Sequence, residues 1–218
     1  MWPFIKKTNF KPSGVILDGT YRAPRFTLPA KYSVPSYIDG LSYFTPIDNQ
    51  EAKPWCMAYS VCNFIERRQW QLTGVCTQLN PEPLYLEAKR LDGNNSPGTT
   101  AQSIIRATYN LRYVSPDTPV QYLDNAEEYR FALHKFGAAI CLFLITEGWN
   151  SCSRTTGNIG DSELTLGGHA VCGGYYDNNT TGGPNEWGLG WGWNGFWRMT
   201  WAQFYKQFDS GFVFDIQE

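Results

Sequence analysis

Apolar positions along this chain change their spacing near its middle. Over residues 55–66 apolar side chains stand at 57, 58, 61, 64 and 65, which is one face of a helix. Residues 83–91 carry Leu84, Leu86 and Ala88 and read as a second helix. A third is expected over 100–110, with Thr99 or Thr100 as its N-cap, because a hydroxyl there accepts from the free N–H groups of the first turn. A fourth is expected over 126–136, closed by Gly137, since glycine ends helices in the left-handed conformation at little cost. After Gly137 the helical spacing stops. Residues 138–145 form a short apolar run suited to a buried strand, and 169–176, 185–189, 195–199 and 212–216 also read as strands. Helices in the first half and strands in the second predict an α+β fold with segregated lobes rather than a doubly wound sheet.

Upstream of the first helix the text is different. Pro3, Pro12, Pro24, Pro29 and Pro35 break any long helix. Residues 1–35 are therefore expected to form an irregular arm, and 36–218 the folded domain. The arm is basic, with Lys6, Lys7, Lys11, Arg22, Arg25 and Lys31 against Asp18 alone. It reads as a solvated wrap around the domain, or as a short pro-segment or docking arm.

Composition narrows the function classes. A chain of 218 residues can build one large domain or two half-size lobes around a cleft. A net charge of −2 gives no support to a nucleic-acid binder. The apolar runs are too short to span a bilayer, so no membrane partner is expected. The first seven residues lack the leading charge, apolar centre and cleavage site of a secretory signal. That reading leaves the location open between the cytoplasm and export by another route. None of the six cysteines forms a CxxC pair. Cys141 and Cys172 sit in strand-like apolar runs, where a free thiol behaves as a small hydrophobe, so reduced thiols are expected. Two distant histidines and scattered cysteines give no metal-ligand spacing, and no metal or cofactor is expected.

The remaining candidates for chemistry are few. His134 falls at the end of the fourth helix beside Lys135, where a basic group suits the helix dipole; it reads as a surface residue. His169 stands in Gly167-Gly168-His169-Ala170-Val171, where a glycine turn entering a strand leaves an imidazole uncovered. Cys56 opens the first helix, where the positive end of the dipole favours thiolate, the form needed for nucleophilic catalysis. Cys62, nearly two turns on, is beyond that effect. On these grounds alone Cys56 is equally a buried helix residue and His169 equally a core histidine.

A resemblance bears on that choice. Asn49-Gln50, then Cys56-Met57-Ala58-Tyr59-Ser60, resembles the nucleophile segment of papain-like cysteine peptidases. His169-Ala170-Val171 with Gly173-Gly174-Tyr175 resembles the histidine segment of that family. The stretch from Asn185-Glu186-Trp187-Gly188 to Trp191-Gly192-Trp193-Asn194-Gly195-Phe196 resembles the family's Asn-Ser-Trp-Gly and Trp-Gly pattern. The segments come in family order and the likeness spans about 28–216. It implies a two-lobed papain-like fold with Cys56 on the helical lobe and His169 and Asn185 on the β-rich lobe. It implies Cys56 as nucleophile, paired as an ion with His169, with Asn185 orienting the ring. Gln50 and the Cys56 N–H would hold the oxyanion, and Trp187 would cover the His169–Asn185 contact. Pro97 and Gly98 would resemble the substrate-pairing strand, with Trp55 and Gly168 also lining the cleft.

The departures from the pattern are specific. Pro54-Trp55 stand where the family has glycine and a small residue, and the bulk of Trp55 would narrow the cleft. Met57 replaces an aromatic, and Lys53 replaces a disulfide cysteine. The separations from Cys56, 113 residues to His169 and 129 to Asn185, are short for the family. The implied activity is a thiol endopeptidase working through an acyl-enzyme on a protein or peptide substrate. A deamidase, transamidase or peptidoglycan amidase with the same triad, and a silent binding module on this fold, are the alternatives. Too few residues precede Cys56 for the family's full pro-domain. Control would then fall to an inhibitory partner or to self-inhibition by the N-terminal arm.

Overall fold

In a computed structural model of the chain, residues 15–16, 24–44 and 46–217 are described. The expectations for Pro3, Pro12, Lys6, Lys7, Lys11, Asp18 and Arg22 lie outside them. The chain runs β1 (Val15–Ile16), β2 (Ile38–Asp39), α1 (Cys56–Thr73), α2 (Pro81–Asp92), β3 (Thr99–Thr100) and α3 (Ala101–Asn110). It continues β4 (Val120–Leu123), α4 (Ala126–Phe136), β5 (Ala139–Thr146), β6 (Thr165–Gly173), β7 (Tyr175–Tyr176), β8 (Thr180–Pro184), β9 (Phe196–Thr200), α5 (Trp201–Gln207) and β10 (Phe208–Phe214). Helices dominate the first half and strands the second, giving the α+β architecture expected.

Local chemistry sets the helix ends. Asn80 caps α2 by accepting from the Glu82 N–H, with Pro81 at the first helical position, where its missing N–H costs nothing. Thr100 caps α3 through the Ser103 N–H, and Asn125 caps α4 through the Glu127 and Glu128 N–H groups. Gly137 ends α4 at φ 73°, with His134 and Lys135 in its last turn. α1 is the central helix. Met57, Ala58, Val61 and Phe64 are each 0% exposed, so it is covered on all sides. It runs seven residues past the expected end at 66, to Thr73, and is closed by Gly74. Two buried arginines carry it there. The Arg67 guanidinium lies 4.2 Å from the Tyr43 ring centre, and Arg68 Nε donates to Ile216 O at 3.0 Å.

Two four-stranded sheets form the other half, in the orders β4-β10-β5-β6 and β2-β7-β8-β9, antiparallel throughout. In the first, Phe143 of β5 stands opposite His169 of β6. A cluster of large rings, including Phe143, Trp149, Trp197 and Phe204, fills the space behind this sheet. α1 packs on β6, and the Cys172 thiol donates to Ser60 O at 3.0 Å across that contact.

Two strand expectations change. Residues 185–189 are not a strand; they form a loop with one bridge, from Trp187 to Asn49. The strand lies just before it, in β8, a Thr-Thr-Gly-Gly-Pro run with little strand propensity. Its glycines answer to packing, since a Cβ on Gly183 would sit 1.9 Å from Cys172 O. The run 169–176 begins earlier than expected and breaks at Gly174. β4 and α5 have no counterpart in the sequence reading. All six cysteines are free thiols. Among the described residues no helix is long and apolar enough to cross a membrane.

Candidate active site

Cys56 is the first residue of α1, with Trp55 at the N-cap and no side chain capping the helix. The first-turn N–H groups therefore stay available near the sulfur. The thiol is 0% exposed. Burial pushes it up to about 12, while the N–H groups of Ala170, Met57 and Cys56 itself pull it back toward thiolate. The helix N-terminus and the His169 imidazolium were the influences expected from the sequence, and burial was not. In this closed arrangement desolvation outweighs the helix N-terminus. Ala170 follows His169 on β6, so the thiol and the imidazole come from adjoining elements.

His169 is also 0% exposed. Its Nε2 lies 2.9 Å from Asn185 Oδ1. A carbonyl oxygen can only accept, so Nε2 carries the proton and Nδ1 keeps its lone pair. Among the described residues Nδ1 has no hydrogen-bond partner. The Trp187 ring stacks on the imidazole with centroids 4.8 Å apart and planes at 29°, and Trp149 meets it edge-on at 5.6 Å and 87°. These two indoles and Asn185 fix the ring orientation. Burial lowers the His169 pKa to about 4, against the Asn185 bond, which raises it. In this arrangement burial therefore works against both charged forms, thiolate and imidazolium.

Asn185 directly follows β8, and its N–H donates to Gly195 O at 2.8 Å. Its loop is strapped to the segment before α1. Gln50 N donates to Glu186 O at 2.7 Å, and Gly188 N donates to Asp48 O at 3.0 Å. Gly188, at φ 77°, lies over the Asn49 side chain. Gln50 is 3% exposed and is held within two residues of Asn185 by this ladder. Cys56, His169, Asn185 and Gln50, far apart in sequence, thus share one small region.

The flanks are less uniform. Trp55 stacks on Tyr85 of α2 at 5.4 Å and 29°, with the Lys53 ammonium 4.4 Å from its ring centre. Its bulk therefore lies flat against the helical half. Pro97 lines an open pocket of about 540 Å³ with Tyr85 and Lys89. Gly98 is buried at φ 80°, a conformation that favours glycine. Gly168 borders the arm. β1 pairs in parallel with β3, Val15 opposite Thr99 and Ile16 opposite Thr100. On its other side, Val15 O is 2.6 Å from where a Cβ on Gly168 would stand. The arm therefore bridges the helical and strand halves one residue from His169. Val15 is itself 8% exposed.

Two residues at the site were not singled out in the sequence. Trp149 carries no local signal, because it reaches His169 only through the fold. Glu186 had one: an acid between Asn185 and Trp187, where the resembled pattern has serine.

The architecture is the papain-like fold. Similar solved structures include procathepsin B S9 from Trypanosoma congolense, with 17% identity, TM-score 0.74, and 95% of this chain and 87% of that one covered. Xylellain, a cysteine protease from Xylella fastidiosa, matches with 15% identity, TM-score 0.77, and 99% and 100% coverage. Digestive procathepsin L 3 of the Tenebrio molitor larval midgut matches with 14% identity, TM-score 0.69, and 95% and 77% coverage. No protein-family model matches the sequence, and no curated protein matches it either.

Proposed function

We propose that this chain is a thiol endopeptidase, with residues 36–218 as the peptidase domain and 1–35 as an arm that restrains it. The observation that carries this reading is the His169 ring, bonded through Nε2 to Asn185 at 2.9 Å with Nδ1 left unpaired. That tautomer suits a base for the neighbouring thiol. His169 Nδ1 takes the Cys56 proton, and the thiolate attacks the scissile carbonyl carbon. The oxyanion accepts from the Cys56 N–H and the Gln50 side-chain amide. The imidazolium then protonates the leaving amine and the C–N bond breaks, leaving a thioester. Water, losing a proton to His169, attacks the thioester. The acid product leaves and the thiol is restored. Asn185 keeps the ring in register throughout, as the third member of such triads does.

The seat of β1 beside Gly168, one residue from His169, supports a role for the arm in keeping water from the pair, whose burial disfavours both charges. With the arm displaced, that penalty falls, and the helix N-terminus and the N–H of Ala170 favour thiolate. Two of the structural neighbours are proenzymes by name, which fits a restrained form. The arm is the partner proposed here; the substrate is a protein or peptide.

Covalent labelling with an epoxysuccinyl thiol-protease inhibitor, read by peptide mass, tests the reading. Stoichiometric labelling at Cys56 after removal of residues 1–23, lost in His169→Ala, is expected, together with cleavage of a peptide library. Labelling without any peptide cut, but with ammonia release from glutamine peptides, would move the activity to deamidation or transamidation. No labelling in either form would leave a binding module.

A further inference from the structure

The buried acid between Asn185 and Trp187 has no part in the steps above, yet it bonds both the nucleophile helix and the Gln50 segment. Glu186 is 0% exposed. Its Oε1 accepts from Ser60 Oγ at 3.1 Å and from Asn63 Nδ2 at 3.4 Å. Ser60 and Asn63 lie four and seven residues beyond Cys56, so all three share one face of α1. The Glu186 backbone O accepts from Gln50 N at 2.7 Å. Its chain neighbours are the histidine's partner and the ring that stacks on the histidine.

We propose that Glu186 is a positioning residue that sets the nucleophile helix against the Asn185 loop and the Gln50 oxyanion donor. The inference rests on the peptidase reading. A shift of one ångström between α1 and this loop would move Asn185, and with it the His169 ring it holds, relative to Cys56, and proton transfer depends on that geometry. The backbone bond to Gln50 makes the same residue the hinge pin for the oxyanion donor. The side chain therefore measures the gap between the halves, and the main chain hands that measure to Gln50.

The surroundings also favour the neutral carboxyl. Burial pushes the Glu186 pKa well up, with Asp48 adding to the rise. The other titratable groups that feel its charge are Cys56 and Tyr59 of α1 and Cys172 of β6. None of these is a cation. A neutral carboxyl can hold Ser60 and Asn63 without opposing a thiolate at Cys56, whereas an ionised one would repel it.

The test compares the full chain with its Glu186→Gln and Glu186→Leu variants. The readouts are the rate and pH profile of Cys56 alkylation by iodoacetamide, located by peptide mass, with melting followed by circular dichroism. Glu186→Gln keeps an accepting oxygen and no charge, so the parent rate and profile are expected. Glu186→Leu fills the volume without the acceptor. While still folding cooperatively, it is expected to alkylate about 10²-fold more slowly, with the profile moved to higher pH. A folded Glu186→Leu that reacts as the parent does overturns the proposal. So does a Glu186→Gln that is as slow as Glu186→Leu. Should Glu186→Leu fail to fold, Ser60→Ala with Asn63→Leu removes the same bonds from the helix side under the same criteria. Peptide cleavage is followed in parallel on the same proteins with residues 1–23 removed. Alkylation differences without any cleavage would sink the peptidase reading and leave the strut, and equal alkylation in all variants would sink the strut alone.

Discussion

The arm's seat can be disturbed by a single methyl group. Gly168→Ala would put a Cβ 2.6 Å from Val15 O and 3.3 Å from Val15 Cβ. One of the two backbones must then move. Gly168 lies inside the nine-residue β6, paired along its length with β5. β1 is a two-residue strand held in register by two positions of β3, so the arm is the side that yields. Overpacking of this kind costs about 1–3 kcal/mol. Placed on the arm's seating equilibrium alone, that is about 5–150-fold in the open fraction. The assay is the rate of Cys56 alkylation by iodoacetamide in the full chain at neutral pH. An increase within that range is expected. Removal of residues 1–23 should abolish the difference between Gly168→Ala and the parent. A Gly168→Ala rate equal to the parent's, with unchanged melting, would refute the claim that β1 restrains the site.

Other consequences can be measured separately. Gln50→Ala in the arm-free protein should lower kcat by about 10²–10³ with little change in KM, read by steady-state peptide cleavage. Burial raises Glu66 to about 7, with its Oε1 taking the Leu79 N–H. The folded protein therefore binds a proton the unfolded chain has released, so this contribution to stability is present below pH ~4.5 and lost as pH rises through ~7. Glu66→Gln should flatten that part of a denaturant-melt pH series. His169, lowered to about 4, acts in the opposite sense: its contribution is present above pH ~6.5 and lost as pH falls through ~4, and His169→Gln should remove it. Gly183→Ala would drive a Cβ to 1.9 Å from Cys172 O, between backbones that cannot step aside. It should cost ~3 kcal/mol or more and appear as a large drop in Tm.

What could be read from the sequence was what is encoded locally. The Thr100 and Gly137 helix ends are each set within a turn, and they stand where the pattern put them. The Asn185 loop misled because Trp187 and Leu189 favour strand, whereas Gly188, Gly192 and Gly195, and also Asn194, all take positive φ and curl the chain. β8 was hidden for the converse reason. Its Gly182 and Gly183 have weak strand propensity, and only the closeness of the Trp197 and Cys172 carbonyls requires them. The end of α1 depends on Tyr43 and Ile216, which are distant in sequence. The site residues were legible as motifs, but their protonation was not. The helix N-terminus at Cys56 could be inferred from order alone, whereas the burial that outweighs it depends on β6, a strand more than a hundred residues further along the chain.

The two sides of the site are held by different means. Behind it, His169, Asn185, Gln50 and Glu186 are joined by buried hydrogen bonds and stacked indoles, each at most 3% exposed among the polar members. Opening any of these would leave a buried polar group unpaired, at about 1–3 kcal/mol apiece. In front, β1 contributes two residues and the approach of one carbonyl to Gly168, all of which water can replace. Exposing the cleft is therefore far cheaper than loosening the catalytic geometry. A site built this way can be stored closed and neutral. Under the proposed peptidase reading, loss of the arm would leave Cys56, His169, Asn185 and Gln50 as they stand, and activation would require a change of solvent access and not a rearrangement of these groups.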